Sequence, residues 1–243
     1  MKNKKLLMAA LTLFLMAILT LSASAQTEKE ILENMIKAMG GREALAAVKD
    51  MRGTGTIEII QFGMTAPFTY YQKEPNKYRM EFEVMGMSVV QTYDGEKGMW
   101  INPQTGEISE LPPDQARQIA KQSWGNDIFL NPDKHGVTHT YKGKEEVNGK
   151  SCHVLEQKFP DGDRIIYYLD SSNYLIYKTR TTATSPTGGE LEVEMVFSDY
   201  RKINRVVTAF SWTMFQGGAE YARFTLNEVV YNTGLDDSLF VLK

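Results

Sequence analysis

Three histidines, one cysteine and several rows of carboxylates are the residues of this 243-residue chain with the means to do chemistry. His135 and His139 stand four apart, a spacing that brings two imidazoles to one metal only on a helix. Gly136 and the β-branched Val137 and Thr138 argue against a helix there. His153 stands alone in a strand-like stretch, so no ligand set is complete. Cys152 directly precedes it. Neighbouring strand side chains face opposite ways, so the two are not expected to pair as nucleophile and base. Cys152, alternating with Val154, reads as an inert buried thiol. Asp161-Gly162-Asp163 is too short for a calcium loop and fits a tight turn. Glu81, Glu83, Glu190, Glu192 and Glu194 alternate with apolar residues, the pattern of a solvated outer face rather than of acid–base pairs. The chain carries no G-x-S-x-G, H-E-x-x-H or phosphate-loop pattern. The expectation is therefore a protein that is not an enzyme, with no cofactor and no metal.

The positive signal is soft and apolar. Met35, Met39, Met80, Met87, Met195 and Met214 supply flexible, polarizable side chains suited to variable apolar ligands. The same residues suit gap-filling in an ordinary core, and both readings stay open at the level of sequence.

These side chains must be positioned by strands. In the stretch 75–101, Tyr78, Met80, Phe82 and Val84 fall on one face and Lys77, Arg79, Glu81 and Glu83 on the other. Val89 to Tyr93 reads as the next strand, and Asp94-Gly95 signals a hairpin. Upstream, Thr27 and Glu30 form a capping box for a helix whose face carries Ile31, Leu32, Met35, Ile36 and Met39. Gly40-Gly41 ends it and offers a hinge. Gly53 and Gly55 mark a bulge or a close approach of backbones. The stretch 103–113 reads as a loop, 114–124 as a helix, and 125–136 as an irregular flap. From Thr138 onward, strands alternate with Asn-Gly, Asp-Gly and Gly-Gly turns, which join antiparallel neighbours. Leu191, Val193, Met195 and Phe197 share a face, as do Phe210, Trp212 and Met214 on the next strand and Phe224 and Leu226 on the one after. A sheet of about eleven strands curls or closes, and so brings these faces inward.

Residues 1–25 read as a secretory signal peptide: Lys2, Lys4 and Lys5, an apolar run from Leu6 to Leu21, and Ala23-Ser24-Ala25 before Gln26. The alternative is an uncleaved anchor helix, for which the run is short. Cleavage after Ala25 leaves 26–243 as one domain. No cysteine stands at the cleavage site to take a lipid anchor. The formal net charge is −3, and losing three lysines makes the mature chain more acidic, which excludes a basic nucleic-acid footprint.

The order Pro75-Asn76-Lys77-Tyr78-Arg79, strand, Tyr93-Asp94-Gly95 and Trp100 resembles the periplasmic lipoprotein carriers and outer-membrane lipoprotein-sorting proteins, the LolA/LolB-like superfamily. The resemblance extends through Tyr167-Tyr168-Leu169-Asp170, Tyr174 to Lys178, Phe197 to Tyr200 and the terminal Asp236 to Phe240. It implies a mainly β fold, a half-open antiparallel barrel with the N-terminal helix and a second helical flap as lid. It also implies an apolar cavity lined by Tyr78, Met80, Phe82, Val84, Trp100, Leu191, Val193, Met195, Phe197, Phe210, Trp212, Met214, Phe224 and Leu226. The lid would present Ile31, Leu32, Met35, Ile36 and Met39. The implied function is a soluble periplasmic carrier for lipid or lipoprotein acyl chains. A monomer is expected, with envelope membrane proteins as donor or acceptor and no nucleic-acid partner. The alternative within the same fold is a non-carrier envelope interaction or sensor protein with a filled core.

Overall fold

The computed structural model describes residues 27–84, 86–103, 105–185 and 188–243. The signal-peptide expectation lies outside them. Among the described residues no helix is long and apolar enough to cross a membrane.

The first helix, α1 (Glu28–Ala38), begins where its capping box sets it. Glu30 N donates to Thr27 Oγ1 at 3.2 Å and Thr27 N to Glu30 Oε2 at 3.0 Å, satisfying two amide donors that the first turn leaves free. Ile31, Leu32, Met35 and Ile36 are buried, one stripe of the helix. A short helix, α2 (Arg42–Ala46), follows and buries Leu45. Between them Gly40 has φ +125°, and a Cβ there would lie 2.2 Å from the Arg205 carbonyl oxygen. Val207 N donates to Met39 O at 2.9 Å beside it. The expected hinge is thus a clamp: only glycine lets the chain turn this close to the Arg205 carbonyl.

Among the described residues thirteen strands form one open antiparallel sheet in the order β6-β5-β4-β3-β2-β1-β13-β12-β11-β10-β9-β8-β7. The first meander is β1 (Asp50–Ile59), β2 (Met64–Lys73), β3 (Lys77–Val84), β4 (Met87–Tyr93), β5 (Gly98–Ile101) and β6 (Ile108–Glu110). The second is β7 (Thr138–Val147), β8 (Lys150–Lys158), β9 (Arg164–Asp170), β10 (Ile176–Thr184), β11 (Glu190–Ile203), β12 (Val206–Gln216) and β13 (Ala219–Tyr231). The pairing of β1 with β13 joins the two meanders, and β6 and β7 are the free edges. β6 lies in the stretch expected as a loop. It is three residues long, too short to show a period, and pairs Met99 with Glu110 and Ile101 with Ile108. The β1–β13 ladder is bulged between Thr54 and Gly55, where a Cβ on Gly55 would stand 2.1 Å from the Thr225 carbonyl oxygen.

Helices occupy one face of the sheet, here called inner. The α1 stripe packs with Leu155 of β8 and Tyr167 and Leu169 of β9. α3 (Pro113–Ser123) packs against β3, β4 and β5, where Ala116 approaches Gly98. Between α3 and β7 lie α4 (Asp127–Leu130) and a 3-10 turn, Pro132–His135, in the segment expected as an irregular flap. The outer face of β3 is covered by the C-terminal turn Asp237–Phe240. Phe240 has no exposed surface, and Arg79 Nη1 donates to Leu239 O at 2.9 Å. Arg79 is outward, and it holds the chain terminus against the sheet.

Candidate functional site

The strand registers decide which side chains share the inner face. Phe68 pairs with Phe82, and Tyr70 with Met80, between β2 and β3. Tyr78 pairs with Tyr93, and Met80 with Gln91, which in turn pairs with Trp100. On the other side Ile57 of β1 pairs with Phe224 of β13, Phe224 with Trp212, Trp212 with Phe197, Met214 with Met195, and Gln216 with Val193. Leu191 shares the parity of Val193, and Leu226 that of Phe224. The residues expected to line the cavity therefore fall on one face. Val84 belongs there by register, and its side chain lies outside the described set.

That face is graded in depth. Phe210, Phe224 and Leu226 are buried and form its floor with Ile57, Ala66, Phe68 and Ala222. Trp212 stacks on Phe224 at 5.0 Å, and Phe68 meets Phe224 edge-on at 5.6 Å. Above this floor Tyr78, Met80, Phe82, Trp100, Leu191, Val193, Met195, Phe197, Trp212 and Met214 remain half-buried. A row of large apolar side chains keeps partial exposure instead of completing a core.

A cavity of about 220 Å³ opens at one end of this face, where β1 and β12 begin and β2 and β13 end. Met51, Gln72, Phe197, Thr208 and Tyr231 contribute to its wall, with Trp124 from the end of α3. Its rim is charged: Lys49 Nζ pairs with Glu74 Oε2 at 3.3 Å. Asp50 beside them accepts from Thr233 N at 2.7 Å and Gly234 N at 2.9 Å, tying the segment after β13 to the start of β1. Burial pushes the Asp50 carboxyl up, and these amide donors more than offset it, leaving the group below its usual range. Sequence reasoning missed Met51, Ala66, Phe68, Tyr70 and Gln72. The alternation of Ala66, Phe68, Tyr70 and Gln72 against Thr65, Pro67, Thr69 and Tyr71 was a period-two signal able to find the β2 members. Gly53 and Gly55 hid the inner face of β1.

The residues expected on a lid go elsewhere. Ile31 and Met35 have no exposed surface and Ile36 only 1%. They pack over the β7–β9 end with Ile128 and Phe129 of α4, apart from Tyr78, Met80 and Phe82. Met39 alone of the five lines the cavity.

The flap is pinned by one carboxylate. Asp127 accepts from Asn131 Nδ2 at 2.6 Å and Lys134 Nζ at 2.7 Å, and contacts His135 Nε2 at 2.8 Å. Burial raises its pKa, but the hydrogen bonds from Lys134, Asn131 and His135 win and hold it at about 2. A depressed carboxyl stabilises the fold above its unfolded pKa and loses that contribution as pH falls through the folded one. About 2 kcal/mol of stability should be present above pH ~4 and disappear towards pH ~2. Asp127→Asn should flatten that part of the stability–pH curve in urea melts. An unchanged acid limb would show that the network adds nothing.

The polar groups of the β7–β9 end pair among themselves. His139 Nε2 lies 3.0 Å from Gln157 Oε1, and Tyr141 OH 2.9 Å from His153 Nδ1. Burial lowers the pKa of both histidines. His153 belongs to the inner face through its pairing with Leu169, while Cys152 packs outside with Val154 and Tyr168. Burial pushes the Cys152 thiol up, away from the reactive thiolate. Among the described residues no three His, Cys, Asp or Glu are grouped to hold a metal ion.

A family model described as "-like: Uncharacterized protein" matches residues 84–243. No curated protein matches the sequence. Solved structures share the fold, among them the following three. A DUF1329 family protein from Desulfovibrio piger superposes with a TM-score of 0.61 at 14% identity, covering 89% of this chain and 98% of that one. A domain assigned as an outer membrane lipoprotein-sorting protein from Vibrio parahaemolyticus gives 0.58 at 15% identity, covering 87% and 94%. A LolA superfamily protein from Nitrosomonas europaea gives 0.58 at 14% identity, covering 90% and 99%. The open thirteen-stranded sheet of the described residues shares its fold with the LolA superfamily protein.

Proposed function

We propose that this chain, which belongs to the family matched over residues 84–243, is an envelope binding protein whose half-barrel shields acyl chains of a lipid or lipoprotein. The observation that carries the reading is the inner face itself. Met80, Phe82, Met195, Phe197, Trp212 and Met214 stay only half-buried on that face, and Phe197 reaches the wall of a cavity of about 220 Å³. Large apolar groups left partly open in a continuous patch mark a surface made for a partner. An acyl chain fits because each methylene removed from water contributes about 0.8 kcal/mol and asks for no directional contact. The methionines let the face repack around chains of different length. The likeness to lipoprotein-sorting proteins supports the same class of cargo. The proposal includes export by the N-terminal segment, a single domain from residue 26, and binding without catalysis.

A second reading, an interaction or sensor protein with a filled core, draws on the β7–β9 end, where Ile31, Met35, Leu155 and Leu169 are wholly buried. One experiment separates the two. Protein purified from its native compartment should carry lipid detectable by mass spectrometry, and after delipidation it should take up a fluorescent fatty acid with saturable, micromolar affinity. No co-purified lipid together with no uptake would leave the filled-core reading.

A further inference from the structure

The hydrogen bonds of two inner-face tyrosine hydroxyls run to sulfur. Tyr70 OH donates to Met51 Sδ at 3.5 Å, and Tyr78 OH to Met80 Sδ at 3.4 Å. A thioether is a weak acceptor, so each hydroxyl can turn its one proton to a stronger acceptor at little cost. Their neighbours in the same layer are better served: Tyr231 OH pairs with Thr208 Oγ1, and Tyr200 OH donates to Ile176 O at 2.6 Å.

The placement of Tyr70 is built into the sheet. It stands opposite Gly53 in the β1–β2 ladder, and a Cβ on Gly53 would lie 2.1 Å from the Tyr70 ring. The missing side chain lets the ring lie across β1, carrying its hydroxyl to Met51 in the cavity wall. Tyr78 pairs with Gln72, another wall residue. Burial, reinforced at Tyr70 by the neighbouring hydroxyls of Tyr231 and Tyr78, raises both pKa values, so both groups stay protonated donors. Through Met51 and Gln72 the two tyrosines connect two regions. On one side lie Met80, Phe82, Trp212 and Met214, clustered over Phe68. On the other lies the cavity with Gln72 and the charged rim of Lys49 and Glu74.

We propose that Tyr70 and Tyr78 form the carbonyl subsite of the groove: their hydroxyls donate to the acyl carbonyl oxygen of an ester- or amide-linked chain. The tail then lies over Met80 and Met214, and the polar remainder enters the cavity beside Gln72. A carbonyl oxygen has two lone pairs and so accepts from two donors at once. This rests on the acyl reading of the groove and adds to it a direction of entry and a linkage.

The test uses the delipidated protein and three fluorescent probes: an ester-linked phosphatidylcholine, its ether-linked counterpart, and an N-palmitoyl peptide. The native protein should bind the ester about tenfold more tightly than the ether, the worth of two neutral hydrogen bonds. The double variant Tyr70→Phe/Tyr78→Phe should equalise the two, with thermal unfolding shifted by no more than about 2 °C. A parallel loss for the N-palmitoyl peptide extends the subsite to amide linkage, and a loss confined to the phospholipid restricts it to esters. Equal ester and ether affinity in the native protein, or a preference that survives in the variant, overturns the subsite and leaves the groove reading standing. A large fall in melting temperature with all probes weakened alike would make the hydroxyls structural and overturn it too. No binding of any probe removes both.

Discussion

Met35→Asp should unfold this protein rather than open it. Met35 has no exposed surface and sits in a cluster with Leu155, Tyr167 and Leu169, closed from the side by Ile128 and Phe129. A carboxylate there loses the thioether's packing and leaves a charge with no partner in an apolar setting. The expected cost is about 3–5 kcal/mol, a large part of the stability of an ordinary domain. Thermal and urea unfolding should shift together. Met39→Asp is the contrast, because Met39 is half-buried and lines the cavity. It should cost far less stability and act on ligand uptake instead. A Met35→Asp protein that melts normally and has lost only lipid affinity would establish α1 as a moving lid and defeat the prediction.

That expectation reverses the weight that sequence alone places on the first helix, and the reason is physical. The capping box and the stripe of Ile31, Leu32, Met35 and Ile36 are local features, so the helix and its buried face were legible. The partner of that face is not local. Leu155 and Leu169 lie more than a hundred residues away, and helical periodicity carries no information on which end of a sheet it meets. The strands divide in the same way. β3 alternates so cleanly that Tyr78, Met80 and Phe82 could be assigned to one face, with Arg79 on the other. The three-residue β6 has no period to read. The pairing of β1 with β13, which closes the two meanders into one surface, depends on residues at opposite ends of the chain. The cavity draws its wall from Met39, Met51, Gln72, Trp124, Thr208 and Tyr231, each on a different segment. No single stretch of sequence contains enough of it to be recognised. The glycines were legible as exceptions but not in consequence: Gly40 reads as a hinge until the Arg205 carbonyl is found against it.

Met214→Glu should separate binding from folding in the opposite sense. Met214 lies on β12 between Met195 and Ala222, in the middle of the inner face, and is half-buried. It packs on the cluster of Phe68, Phe224 and Trp212 without belonging to the buried floor. In the free protein a glutamate there can turn its carboxylate to the open side of the groove and stay hydrated, so the cost to stability should stay near 1 kcal/mol. With an acyl chain over it, that carboxylate must either lose its water or displace the chain. Burying a polar group without a partner costs roughly 1–3 kcal/mol on protein scales and more for a charge, so affinity for a fluorescent fatty acid should fall about ten- to hundredfold. Met214→Leu keeps the apolar surface and should bind within about threefold of the native protein, because such a swap changes little but flexibility. Glutamate and leucine variants that bind alike, both with native melting behaviour, would mean that acyl chains do not lie across β12 and that the inner face serves some other partner.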